Sequence, residues 1–370
     1  MSKTAATKSR FMLTAAVALL LLLVVGAGIW LLFLRPPAPY ELPIADWNTF
    51  RKNCISEEGR VIDNGNGNIT HSEGQGYGML IAEAYGDRAT FDRIWSWTRE
   101  NLQTRPNDKL LSWLWKPDGT PDGGAVSDPN NASDGDLLVA WALARASQRW
   151  NEFSYEQASL QILADLRRLD YHLLNERLVL LPGTDGFLKP EGVILNPSYY
   201  IFQAFAELNR IFPEPTWEAL SDSGKALIER ARFGKWQLAP EWVLVANDEG
   251  VSLPTGFPPD FGYNAVRIPL YIIWAKPESL ELLEPFAGFW KEFADKETPA
   301  TVNLETNALG VDPALPGMLA IAKLTMASVE KQQLTVPDIP MVAADEVYYS
   351  ACLKILVKMV IKETALPSEA

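Results

Sequence analysis

The chain has 370 residues, a net charge of −13 and 48% hydrophobic side chains, with 13 Trp, 11 Tyr and 15 Phe. That is enough apolar material for one large domain or two small ones. The acidic balance argues against nucleic acid or an anionic membrane surface as partner and suits a neutral ligand such as a polysaccharide, whose sugar faces stack on aromatic rings.

The first 35 residues stand apart. Lys3, Lys8 and Arg10 precede an uncharged apolar run over 11–34, and no acidic residue occurs before position 36. Such a run is long enough to cross a ~30 Å hydrocarbon core. Its basic flank favours the cytoplasm, which sends the rest of the chain outside. Val25-Gly26-Ala27-Gly28 offers only a weak cleavage site, so residues 1–35 are expected to be one transmembrane anchor rather than a cleaved signal. Residues 36–44, opening with Pro36-Pro37-Ala38-Pro39, read as a stiff spacer.

Beyond it, helical periodicity recurs over 90–102, 136–150, 156–174, 198–211, 217–232, 265–274, 280–293, 314–325 and 345–362. Strand signals are few, at 186–193 and 242–245, and 118–131 and 252–260 read as loops. The stretch His71-Ser72-Glu73-Gly74-Gln75-Gly76-Tyr77-Gly78-Met79 carries a carboxylate among glycines that permit close approach of a ligand. Ser72 and Gln75 fit a capping box. Glu73 there is either a helix-dipole complement or a catalytic acid. Ser133 and Asp136 fit a second box, Asn196-Pro197 a cap with proline at the first helical position, and Asp312-Pro313 the same signal.

Glu73, Asp134, Tyr199 and Asn264 fall at four helix starts with nearly equal spacing. Helical hairpins of that length suggest a closed all-α ring whose alternate helices gather their N-termini, and those four residues, at one end. An α-solenoid is the alternative. Ring closure brings the first and last helices together, with Cys54 near Cys352 as a disulfide or as two buried thiols. Two cysteines and two histidines, His71 and the helical His172, provide no metal-binding spacing. No metal and no cofactor is expected.

Two carboxylates at one end of such a ring suit acid/base cleavage of a glycosidic bond. The motif Ser72-Glu73-Gly74-Gln75-Gly76-Tyr77-Gly78-Met79 resembles the acid motif of glycoside hydrolase family 8. Ala132-Ser133-Asp134-Gly135-Asp136 resembles its second signature, and Asn196-Pro197-Ser198-Tyr199 and Tyr263-Asn264-Ala265-Val266-Arg267 match in position. The resemblance runs from about Asp46 onward. With the N-terminal export signal it is most similar to the periplasmic endoglucanases of bacterial cellulose synthesis systems.

The resemblance implies an (α/α)6 barrel over 45–364 with a few short strands. It also implies inverting endo-cleavage of β-1,4-glucan, linked to cellulose production and to an inner-membrane location facing the periplasm. Glu73 would be the general acid, Asp134 would hold and distort the sugar ring, and Tyr199 would help hold the water. Trp113 and Trp115 are candidate stacking platforms or core residues, and Arg267 a bridge between carboxylates or an anchor for its helix.

Asn264 stands where many members carry the aspartate base, and an amide accepts no proton at neutral pH. The base then comes from elsewhere, with Asp260 and Asp134 as candidates, or the enzyme is slow, or the domain binds glucan without cleaving it. Xylan, chitosan and mixed-linkage glucan are alternative substrates.

Overall fold

The computed structural model describes residues 40–120, 123–276 and 279–365, and the barrel unit begins at Leu42. The expected membrane span lies outside the described residues. Among those described, no helix is long and apolar enough to cross a membrane.

Eleven α-helices form the described unit. Six of them, α2 (Ser72–Ala84), α4 (Ser133–Trp150), α6 (Phe202–Ile211), α8 (Ile268–Trp274), α10 (Pro316–Val329) and α11 (Tyr348–Ala365), pack side by side, and α11 closes onto α2. The ring is therefore an (α/α)6-type barrel. Its inner helices are apolar around their circumference, as burial on all sides demands. α11 is buried without a break from Ser350 to Ile361, and α4 from Ser133 to Ala144. The outer helices α1 (Ile44–Cys54), α3 (Arg88–Asn101), α5 (Phe153–Asp170), α7 (Pro215–Arg230) and α9 (Glu284–Glu292) are two-faced. In α3 the buried Phe91, Ile94, Trp95 and Thr98 follow the one-stripe helical spacing.

Connections differ at the two ends. Inner helices return to outer ones through tight turns, as between Ala84 and Arg88 or Trp150 and Phe153. The outward-to-inward connections are long and carry the strands. Short antiparallel ribbons order them: β1 (Thr70–His71) with β2 (Leu114–Pro117) and β3 (Gly124–Asp128); β4 (Tyr171–Leu174) with β5 (Arg177–Leu180); β6 (Leu188–Lys189), β7 (Gly192–Leu195), β8 (Val243–Ala246) and β9 (Val251–Ser252) in one sheet; and β10 (Asp260–Phe261) with β11 (Val302–Asn303). Thus 118–131 is not a plain loop, and the helix expected over 156–174 stops at Asp170. His172 lies in a strand opposite Val179.

Closure brings the expected neighbours together. Asp46 on α1 accepts Lys358 Nζ of α11 at 2.5 Å and the Val342 N–H at 2.8 Å, all buried. Cys54 and Cys352 sit on these two helices as free, buried thiols, not as a disulfide. Burial pushes the Cys54 thiol up to about 12.

The capping expectations fare unevenly. The N-cap of α2 is His71, whose Nδ1 accepts the Gly74 N–H at 2.9 Å. Gln75 instead turns inward, accepting the Val61 N–H and donating to Thr98. Ser133 gives its hydroxyl to the Leu181 carbonyl, and Asp136 accepts the Leu111 N–H. Asn196 does cap, through Ser198 N–H, the short 3-10 turn Pro197–Tyr199. Asp312 does not cap α10, which begins after Leu315. The glycines of α2 serve packing rather than ligand approach: a Cβ on Gly76 would sit 2.5 Å from Leu138 Cβ.

Candidate active site

All six inner helices point their N-termini to the end that bears the long connections. A cleft of about 910 Å³ opens there, lined by Glu73 and His71 at α2 and by Asn131 and Asp134 at α4. Tyr199 lines it ahead of α6, Asn264 and Arg267 ahead of α8, Leu315 ahead of α10, and Val347 and Tyr349 at α11. Six helix dipoles thus direct positive potential at a place that concentrates carboxylates.

Arg267 organises the floor. Its side chain is 1% exposed. Nη1 pairs with Glu73 Oε2, lies 3.6 Å from Asp134 Oδ2 and donates to the Tyr77 hydroxyl at 3.0 Å. Nη2 donates to Asn264 Oδ1 at 2.8 Å and to Ser198 Oγ at 3.4 Å. The guanidinium is therefore a bridge between carboxylates, not merely a helix anchor. Its planar fork reaches partners a lysine's point charge could not serve together.

The two carboxyls share one environment and diverge in charge. Burial pushes Glu73 upward, but the Arg267 guanidinium and His71 outweigh it, and its net displacement is downward. Burial and then the adjacent Glu73 charge raise Asp134 well above the carboxylate range. Neighbouring carboxyls in a buried site resist ionising together, and of the two Asp134 is the one displaced toward the neutral form. Asp134 Oδ1 accepts the Gly135 N–H at 2.8 Å, while the buried Oδ2 has no hydrogen-bond partner. A buried carboxyl oxygen left unpaired at a cleft is open to a ligand hydroxyl, which can donate to it or accept from it.

Around this floor lies an aromatic lining. Trp113 belongs to it. Trp115 does not: it is 5% exposed and packs against Trp97, under the Arg60 guanidinium. A break in the strand separates the two: residues two apart share a face in a regular strand, but Trp113 precedes β2, and β2 is irregular at Leu114 and Trp115. Asp260 also stays out of the lining, with its carboxyl turned to the Asn303 side chain.

Sequence reasoning missed Trp242, Phe187 and Phe257. Phe187 stacks on Trp242 at 5.7 Å, Trp242 meets Phe257 at 4.9 Å, and Tyr199 meets Trp242 edge-on at 6.3 Å. It also missed Tyr349, whose hydroxyl bonds the Tyr263 carbonyl. Trp242 lies just ahead of a recognisable strand, but nothing local told which way it points. No group of His, Cys, Asp and Glu among the described residues is arranged to hold a metal ion.

Known proteins carry the same arrangement of chain. The profile of glycosyl hydrolases family 8 matches residues 37–363. A probable endoglucanase of Novacetimonas hansenii is 40% identical over 322 residues, covering 87% of this chain and 91% of its own. The solved endo-β-1,4-glucanase CMCax of Acetobacter xylinum superposes with a TM-score of 0.78 at 39% identity, over 89% of this chain and all of that one. The family 8 endoglucanase Cel10 of Klebsiella pneumoniae gives 0.79 at 35% identity, over 86% and 99%. A match running from the first described helix to the last makes this protein a member of glycosyl hydrolases family 8.

Proposed function

We infer that the protein is an endo-acting β-1,4-glucanase that hydrolyses cellulose or a related β-glucan with inversion at the anomeric carbon. One observation carries this reading: Glu73 and the orphaned Asp134 Oδ2 flank a single buried guanidinium nitrogen at the floor of an open, aromatic-lined cleft. A groove that only bound glucan would have no use for two carboxyls set against one buried guanidinium.

In this mechanism a glucan strand lies along the cleft, with rings on Trp113 and on the Trp242 cluster. Asp134 Oδ2 takes a hydroxyl of the sugar at the cleavage point and favours its distorted form. As that ring displaces solvent, Glu73 takes up a proton, which it gives to the leaving oxygen. Tyr199 helps to hold the attacking water. Acid catalysis of this kind contributes about 10²–10⁴-fold. Asp134 is unsuited to be the base. It shares a nitrogen of Arg267 with the acid, whereas an inverting pair stands roughly 6.5–9.5 Å apart to admit water.

Residues 1–35 hold the enzyme on the outer face of the inner membrane in this reading, where it would trim glucan during cellulose production. The basic flank and apolar run support it. Fractionation of the full chain tests it: recovery in the soluble periplasmic fraction rules the anchor out.

Activity is tested by release of reducing ends from carboxymethyl cellulose, with the product anomer followed by NMR. The α-anomer should appear first, and Glu73→Gln should remove activity while cello-oligosaccharide binding persists. Equal activity in the Glu73→Gln variant would refute the reading.

A further inference from the structure

Asn264 leaves the reaction one proton acceptor short. The cleft carboxylates are poorly placed to fill the gap. Asp134 is tied to the acid through Arg267. Asp63 faces His71 Nε2 at 3.5 Å and accepts the Gly65 N–H at 3.2 Å, and Asp128 accepts the Asn130 N–H at 3.0 Å.

Glu241 differs from all of these. Its backbone N–H is fixed to the Asp260 carbonyl at 2.8 Å. Its Oε1 accepts the Asn264 backbone N–H at 2.9 Å. The carboxylate also lies against the Asn264 side-chain amide, whose Oδ1 is taken by Arg267. Arg267 therefore directs the amide NH₂ toward Glu241. Glu241 stands just behind the lining rather than in it: the next residue, Trp242, and its partner Asn264 both line the cleft, and Glu241, only partly buried, is one residue's depth from it.

We propose that Glu241 is the proton acceptor of the hydrolysis and that Asn264 holds the attacking water beside it. Together the two residues do the work of one aspartate. The water oxygen bonds to the anomeric carbon as one of its protons passes to the Glu241 carboxylate. The glycosidic bond breaks with its electron pair on the leaving oxygen, which takes the proton of Glu73. Glu73 ends ionised and Glu241 neutral, and exchange with solvent restores both. Burial raises the proton affinity of Glu241, with Asn264 and Arg267 opposing and Asp260 assisting, and this suits an acceptor.

The proposal rests on the endoglucanase reading and is tested separately from it. Wild type, Glu241→Gln and Asn264→Asp/Glu241→Gln are compared on cellopentaose for kcat and KM, with melting temperatures as a folding control. Glu241→Gln should lower kcat by about 100-fold or more with little change in KM, since loss of a base costs about 10²–10⁴. The double variant should recover at least about tenfold of that loss, because a carboxylate again meets the water. A merely structural role predicts no such rescue.

A kcat loss under about tenfold in Glu241→Gln, or a double variant no faster than the single, overturns the proposal. If Glu241→Gln melts below the assay temperature, Glu241→Asp keeps the charge but withdraws it by one methylene. A kcat at least about tenfold lower then supports the proposal and a smaller loss refutes it. Wild type that releases no product from any β-1,4-glucan would defeat the endoglucanase reading instead.

Discussion

Arg267 and Glu73, 194 residues apart in the chain, meet as an ion pair at the floor of the cleft, and the same guanidinium nitrogen lies 3.6 Å from Asp134. Breaking a buried charge cluster by removing one member costs about 3–5 kcal/mol, because the partners stay buried without compensation. Arg267→Met should therefore destabilise the barrel by roughly that amount at pH 8. At pH 5 the loss should be smaller, since Glu73, no longer held down by the cation, can neutralise by taking a proton. Urea unfolding at the two pH values measures this, and a loss independent of pH would contradict the charge argument.

Trp113 and Trp115 look alike in sequence and should behave oppositely. Trp113→Ala removes a face of the cleft, so KM for cello-oligosaccharides should rise by about fivefold, the scale of one aromatic contact of about 1 kcal/mol, with a small change in stability. Trp115→Ala should cost about 3–5 kcal/mol in unfolding free energy, as truncation of a buried Trp does, while KM stays near wild type. Reversed effects would mean that the lining is misassigned.

How far the chain itself disclosed these arrangements follows from the range of each signal. Helical period and even spacing are local, and they sufficed to bring Glu73, Asp134, Tyr199 and Asn264 to one end of a ring. The capping motifs were less reliable, because Gln75 and Asp136 found better partners in Val61, Thr98 and Leu111, residues that only the fold brings near. Trp242, Phe187 and Tyr349 come from long connections or a helix start whose direction depends on tertiary packing. Glu241 was invisible for the same reason: its link to Asn264 spans 23 residues and runs through a backbone N–H.

At the end of the barrel away from the cleft, Arg145 of α4 binds Glu83 of α2 at 2.9 Å, Glu207 of α6 at 3.2 Å and Glu363 of α11 at 2.8 Å. Trp141 and Trp274 donate to two of the same carboxylates. Four inner helices are thus joined by one guanidinium. Arg145→Met should lower stability by about 3–5 kcal/mol and leave kcat of the folded fraction unchanged, because three helical turns separate it from Asp134. A fall in kcat at temperatures well below the melting point would show that this clasp also shapes the cleft.

Asn131 bridges Asp136 Oδ2 at 2.9 Å and Asp170 Oδ2 at 2.6 Å, just ahead of the helix that carries Asp134. Burial raises Asp136 well above its usual range and Asp170 to about 7. A carboxyl whose folded value is raised contributes stability that is fully present below its unfolded value near 3.9 and is lost as pH climbs through the folded one. For Asp170 that window runs from about pH 4 to pH 7. Asp170→Asn cannot ionise, so its stability relative to wild type should rise by about 2 to 3 kcal/mol between pH 5 and pH 8. Groups remote from this cluster act equally on both proteins and cancel in the difference, whereas Asp136, which the Asp170 charge pushes up, is eased in the variant. Urea midpoints of the two proteins at pH 5 and pH 8 decide the matter: a constant gap would mean that Asp170 stays ionised across the range despite its burial.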